Sequence, residues 1–93
     1  MNDDIAHIDA EFRRRFTDET GRVATIPRKD VYRQALLRYA TSRFEENRTY
    51  TEQEVNFILL DIVDDHAWLR RMLVDLGYLE RSNDGRAYRR VPA

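Results

Sequence analysis

The most informative part of the sequence is residues 50–77, YTEQEVNFILLDIVDDHAWLRRMLVDLG. Thr51 and Glu54 form the T-x-x-E pattern of a capping box, in which each side chain accepts a hydrogen bond from the backbone N–H of the other residue. Tyr50 and Val55 stand where a hydrophobic staple accompanies such a box. The pattern predicts that a helix begins at Thr51.

Two helices separated by a sharp turn are predicted within this segment. The first covers 51–63, and its apolar residues at helical spacing are Val55, Ile58, Leu59 and Ile62. The second covers 65–76, with Asp64 or Asp65 as its cap, and its core-facing residues are Leu69, Met72, Leu73 and Leu76. Gly77 stands where a left-handed residue usually ends a helix.

The residues after Gly77 predict a β-hairpin over 78–91. Residues 78–81 and 87–91 are strand-like, and Asp84-Gly85 between them is a strong turn signal. We expect Tyr78 and Tyr88 to form a cross-strand aromatic pair.

Upstream, apolar spacing predicts a core helix over 28–44 and an amphipathic helix over 3–16. A short strand is predicted over 22–26, halted by Pro27. One core is expected to contain Leu36, Val55, Leu59, Leu69, Leu73 and Leu79. The fold class is therefore mainly α with a small β-hairpin (α+β), in the order of a winged helix-turn-helix with an extra N-terminal helix.

Composition and charge limit the classes of protein to which the chain can belong. The chain has 93 residues, no cysteine and a net charge of −1, which indicates one domain without disulfides or thiolate chemistry. We expect a cytoplasmic protein with no membrane segment or signal peptide. Six arginines against three acids give residues 66–93 a balance of +3, whereas residues 1–65, with 10 basic against 14 acidic residues, have −4. Positive charge is concentrated at the C-terminal end.

The chain also resembles a known family. The residues that carry the resemblance are YTExEVN at 50–56, DHAxLRRxLVDxG at 65–77, LxR at 79–81 and DGxxYxR at 84–90. They closely resemble the bacterial domain of unknown function DUF2087, over roughly residues 20–91. The resemblance implies a winged-helix-like domain over 21–93 and leaves 1–20 as a helical extension. Because members of the family also occur fused to helix-turn-helix regulators, it suggests a role in transcriptional control.

Five arginines carry the first functional hypothesis, which is binding to double-stranded DNA. Arg70 and Arg71 would project from the recognition helix toward base edges, and Arg86, Arg89 and Arg90 would contact phosphates from the wing. The alternative is that Arg71 forms an ordinary surface ion pair with Asp75, four residues away.

The rival hypothesis is a protein-interaction or dimerisation winged helix that does not bind DNA. Apolar side chains in excess of a three-helix core would form the interface, and they are Ile5, Ile8, Phe12, Phe16, Phe57 and Leu60. We expect a homodimer. The alternative is that the first helix folds back over Phe57 and Leu60 and covers them.

Catalysis is not expected. Asp61, Asp64, Asp65 and His66 are close in sequence, but carboxylates at a helix start are favoured by the free N–H groups there. No second ligand cluster completes a metal site, and no glycine-rich phosphate loop is present. The sequence therefore predicts no enzyme, no metal and no cofactor. Trp68 is expected to pack against the first segment or the wing.

Overall fold

The computed structural model of the chain describes residues 2–92, with side chains from Asp4 onward. These residues form an α+β fold of four helices and one small antiparallel sheet. In chain order the elements are α1 (Asn2–Phe16), α2 (Asp30–Thr41), β1 (Thr49–Thr51), α3 (Glu52–Leu60), α4 (His66–Asp75), β2 (Leu79–Arg81) and β3 (Ala87–Arg90).

The start of α3 confirms the predicted capping box. The Thr51 N–H donates to Oε1 of Glu54 over 2.8 Å, and the Glu54 N–H donates to Oγ1 of Thr51 over 3.1 Å. The hydrogen bond from the Thr51 backbone is the main reason why the pKa of Glu54 is lowered. Thr51 is also the last residue of β1, so the strand ends on the residue that caps the helix.

Helix α4 has the predicted signals at both ends. Asp65 is the N-cap and accepts a hydrogen bond of 3.2 Å from the Trp68 N–H. Gly77 adopts a φ of +83°, and the Tyr78 N–H donates to the Leu73 carbonyl over 2.8 Å. This left-handed residue ends the helix and turns the chain into β2.

The hairpin is confirmed, but it belongs to a three-stranded sheet of order β1-β3-β2. The sequence analysis missed β1, because three residues are too few to show alternation and the capping box dominates them. The predicted Tyr78–Tyr88 pair is wrong. The register places Tyr88 opposite Arg81 on β2 and opposite Tyr50 on β1, whereas Tyr78 lies beyond the strand, where its carbonyl accepts from the Val91 N–H.

Two upstream predictions need correction. The strand predicted over 22–26 is reduced to an isolated bridge between Thr17 and Val23. The Val23 N–H instead donates to the Ile62 carbonyl over 2.7 Å, so this backbone is satisfied by the chain just after α3. The helix predicted over 28–44 is shorter at both ends and covers Asp30–Thr41.

The predicted core is confirmed. All six side chains expected in it are buried, and they are Leu36, Val55, Leu59, Leu69, Leu73 and Leu79. Phe44 and Tyr50 extend this core beneath the sheet, with their rings packed edge to face at 5.1 Å.

Helix α1 packs on α2 and contributes to the same core. Phe12 is only 1% exposed, and its ring lies 5.6 Å from that of Tyr39. The α1–α2 contact also contains an ion pair in which Arg38 donates two hydrogen bonds to Oδ1 of Asp9, at 2.6 and 3.0 Å. The stripe of α1 was expected to face a partner, but Phe12 is buried within the chain.

The other apolar residues of the expected interface differ in exposure. Ile8 and Phe16 are half-buried against the core, and Ile5 is exposed. Because Phe57 remains 81% exposed, α1 does not cover it, contrary to the expected alternative. Leu60 is 43% exposed.

Candidate nucleic-acid interface

A small cleft lies between α4 and the hairpin and is closed at one end by the start of α3. Its volume is about 150 Å³. Its charged walls are formed by Arg70, Arg71 and Asp75 of α4, Glu52 of α3 and Arg81 of β2. Three guanidinium groups and two carboxylates therefore surround one concavity.

Arg70 is partly buried and bound to α3. Its guanidinium donates to Oδ1 of Asn56, and its Nε lies 4.0 Å from Oε1 of Glu52. The side chain is 22% exposed. Arg70 therefore connects α4 to α3.

Arg71 is exposed on the neighbouring position of α4. Among residues 2–92 it has no side-chain hydrogen bond or ion pair, so the expected alternative pairing with Asp75 is absent there. An arginine left without an acid on a helix surface retains all its donors for a ligand.

Arg81 was not among the predicted site residues, although it lines the cleft. It is exposed and has no ion pair within the described part of the chain. Its guanidinium lies against the turn of the hairpin, where a Cβ on Gly85 would come within 2.5 Å of the terminal nitrogen. Strand alternation was the available signal, because Arg81 lies two residues from the buried Leu79 and so shares its side of the sheet.

The three predicted wing arginines are not in the cleft. Arg89 donates to Glu80 on the facing strand over 2.8 Å. Arg90 donates to the Phe44 carbonyl over 3.0 Å and lies 3.8 Å from Glu46. Arg86 is exposed at the hairpin turn and has no side-chain partner among residues 2–92. Of the predicted set, the cleft brings together only Arg70 and Arg71.

Tyr88 forms the floor of the cleft. Its hydroxyl donates to Oε1 of Glu52 over 2.9 Å. Burial is the largest cause of the raised pKa of Tyr88, and the hydrogen bond to Glu52 adds to it, while Arg81 and Arg70 oppose it. Both guanidinium groups therefore lie within electrostatic range of the phenol.

A second surface lies on a different side of α3. Phe57 and Leu60 are exposed there, and we call this pair the apolar face. A groove of about 470 Å³ begins at Phe57 and runs past Ile58 and Tyr50 toward Arg43 and Arg48.

The acidic segment before α4 does not assemble a metal site. Among residues 2–92, no group of three or more histidines and carboxylates is arranged to hold a metal ion. Trp68 packs partly buried against the core, and Arg33 of α2 lies over its ring at 5.9 Å. None of the helices in this part of the chain has the length and apolar character that a membrane crossing requires.

The comparisons with known proteins give one match. A family described as "Uncharacterized protein conserved in bacteria (DUF2087)" matches residues 22–90. The match runs from the middle of the α1–α2 connection to the end of β3 and excludes α1. No curated protein and no solved structure matches the chain.

Proposed function

Because the chain belongs to the DUF2087 family, we propose that it is a winged-helix module that binds double-stranded DNA in transcriptional control. The observation that supports this most is the group of exposed arginines without acidic partners on α4 and the hairpin. Within residues 2–92 this group consists of Arg71, Arg81 and Arg86.

The order of elements supports the same proposal. From α2 onward the chain runs helix, strand, helix, helix and hairpin, with the first strand joining the hairpin in one sheet. Winged helix-turn-helix proteins have this order, and their second helix of the turn lies in the major groove while the wing contacts the backbone. In this proposal α4 is the recognition helix and β2–β3 is the wing.

The internal contacts change the roles expected for individual arginines. Since Arg70 donates to Asn56, we assign it to positioning α4, and Arg71 becomes the residue that contacts base edges. Arg86 contacts phosphate, whereas Arg89 and Arg90 already have protein acceptors. The proposal is for a binding protein without catalysis, acting in the cytoplasm.

We expect Arg71→Ala and Arg86→Ala to affect DNA binding differently. A base contact by Arg71 contributes about 1–3 kcal/mol of discrimination, so its loss should flatten sequence preference. Loss of a phosphate contact at Arg86 should weaken binding to all sequences alike. It should also reduce the slope of log affinity against log salt concentration by about 1. Selection from a random duplex pool, followed by a salt titration of the enriched sequence, measures both effects.

The matched control is Arg28→Ala, because Arg28 is exposed, lies before α2 and has no ion pair among the described residues. It should leave sequence preference unchanged. The chain carries a net charge of −1, so non-specific binding should be weak and the selection is best done at low salt. If selection enriches no sequence and duplex DNA does not change the melting temperature, the DNA-binding proposal is wrong.

The apolar face supports a second candidate function, homodimerisation. Phe57 is 81% exposed on a helix whose opposite side is packed in the core, and soluble chains commonly cover such surface by two-fold association. This interface would leave α4 and the hairpin available, because Glu52 and Asn56 contact the α4 side from another face of α3. Dimerisation through the apolar face would therefore not depend on DNA binding.

We expect Phe57→Asp to convert a dimer into a monomer, since a buried carboxylate without a partner is strongly unfavourable at an interface. Sedimentation velocity at tens of micromolar protein measures the change. Val31→Asp is the matched control, because Val31 is another exposed apolar residue but lies on α2. A parent protein that sediments as a monomer contradicts the dimer.

A further inference from the structure

We infer that the cleft between α4 and the hairpin binds one phosphate group, held mainly by Arg71 and Arg81. This goes beyond the proposed contact with DNA, because the site would bind inorganic phosphate or a phosphate ester when no DNA is present. It also gives a role to Arg81, which the sequence analysis did not place in any site.

The charges around the cleft leave two guanidinium groups unsatisfied. Glu52 accepts a hydrogen bond from Tyr88 and lies near Arg70, and Arg70 in turn donates to Asn56. The four side chains therefore satisfy one another's charge and hydrogen bonding. Asp75 is exposed and forms no ion pair with Arg71 or Arg81. Three guanidinium groups against two carboxylates give the cleft a balance of +1, and Arg71 and Arg81 are the two guanidinium groups without an acidic partner.

The guanidinium groups select the class of ligand. One tetrahedral phosphate group fits the cleft, whose volume is about 150 Å³. The planar fork of each guanidinium matches a pair of phosphate oxygens, so two arginines on opposite walls suit a dianion.

The hairpin turn leaves room for the guanidinium of Arg81. It lies against Gly85, which has a φ of +74° and no side chain. Arg71 completes the site from α4. The two arginines therefore belong to two different elements, which a bound phosphate would join.

The test is thermal unfolding of the full chain in inorganic phosphate, compared with sodium chloride at the same ionic strength. We expect a saturable rise of about 5 °C in the melting temperature, because phosphate binds only the folded cleft. The rise should be lost in Arg71→Gln and in Arg81→Gln and kept in Arg28→Gln. The Nε–H signals of Arg71 and Arg81 should shift in ¹H–¹⁵N NMR spectra during the same titration.

Two results would overturn the inference. One is an effect of phosphate no larger than that of chloride. The other is that Arg28→Gln loses the rise in melting temperature as fully as Arg71→Gln and Arg81→Gln do, which would indicate general screening by an anion and no defined site. Since both exposed arginines lie outside the core, each variant should unfold in chloride near the temperature of the parent, so a lost shift reports binding.

A selected DNA duplex then tests whether DNA and phosphate share the cleft, because Arg71 is also the residue proposed to contact base edges. Displacement of inorganic phosphate by the duplex shows that the two ligands compete for Arg71, whereas simultaneous binding of both assigns the cleft to a free phosphate ester and removes Arg71 from the proposed base contact. Either result supports the site. DNA binding without phosphate binding would overturn this inference alone, and phosphate binding without DNA binding would overturn the DNA-binding proposal alone.

Discussion

Phe12→Ala should lower the free energy of unfolding by about 3–5 kcal/mol, because it removes a buried ring and leaves a cavity. Phe12 lies between Phe16 and Tyr39, with ring centroids 5.7 and 5.6 Å away. A loss of this size is a large part of the stability of a small domain. Urea denaturation followed by circular dichroism measures it.

The matched control for Phe12 is Phe57→Ala, which makes the same chemical change at an exposed position. It should alter the free energy of unfolding by no more than about 0.5 kcal/mol. Both variants are compared at one low protein concentration, since dissociation of a dimer would contribute to the value for Phe57. Equal and small effects at the two positions would show that α1 is not part of the folding unit.

Leu73→Ala should cost about 2–5 kcal/mol of unfolding free energy for a similar reason. Leu73 is completely buried in α4, at the centre of the packing between that helix and the rest of the core. Its carbonyl also accepts the hydrogen bond from Tyr78 that ends the helix, but the substitution leaves this backbone contact in place. The expected loss therefore comes from packing alone, and thermal unfolding measures it.

Leu76→Ala is the control for Leu73, because Leu76 is a leucine of the same segment that is 47% exposed. Its substitution should cost much less than that of Leu73. A similar cost at both positions would contradict the assignment of Leu73 to the core. The sequence analysis placed Leu76 among the core-facing residues, but the helix ends at Asp75 and its last turn leaves Leu76 partly in solvent.

The sequence was sufficient to predict the boundaries of those elements whose ends carry capping side chains. Thr51 and Glu54 fixed the start of α3, Asp64 or Asp65 was expected to cap α4, and Gly77 fixed its end, because capping is local chemistry between residues a few positions apart. The structure identifies Asp65 as the cap. The segment at 22–26 lacked such a signal. Its backbone bonds to Ile62, which is distant in sequence, so local propensity misassigned it.

The candidate site was harder to predict than the fold. The exposed Arg71 was identified from its helical position, whereas the partners of Arg70, Arg89 and Arg90 depend on which elements pack together. Arg81 was missed because its neighbours in sequence suggest an ordinary hairpin residue. Only the pairing of β2 with β3 and their position beside α4 bring it to the cleft.

The direct junction of β1 and α3 at Thr51 has a mechanical consequence. Thr51 ends the strand and caps the helix, so no linker allows one to rotate without the other. In the register, Thr51 is opposite Ala87, and Tyr50 is opposite Tyr88, so β1 is fixed in turn to the central strand of the sheet. We therefore expect a reorientation of α3 to move β1 and, through this pairing, β3 of the hairpin.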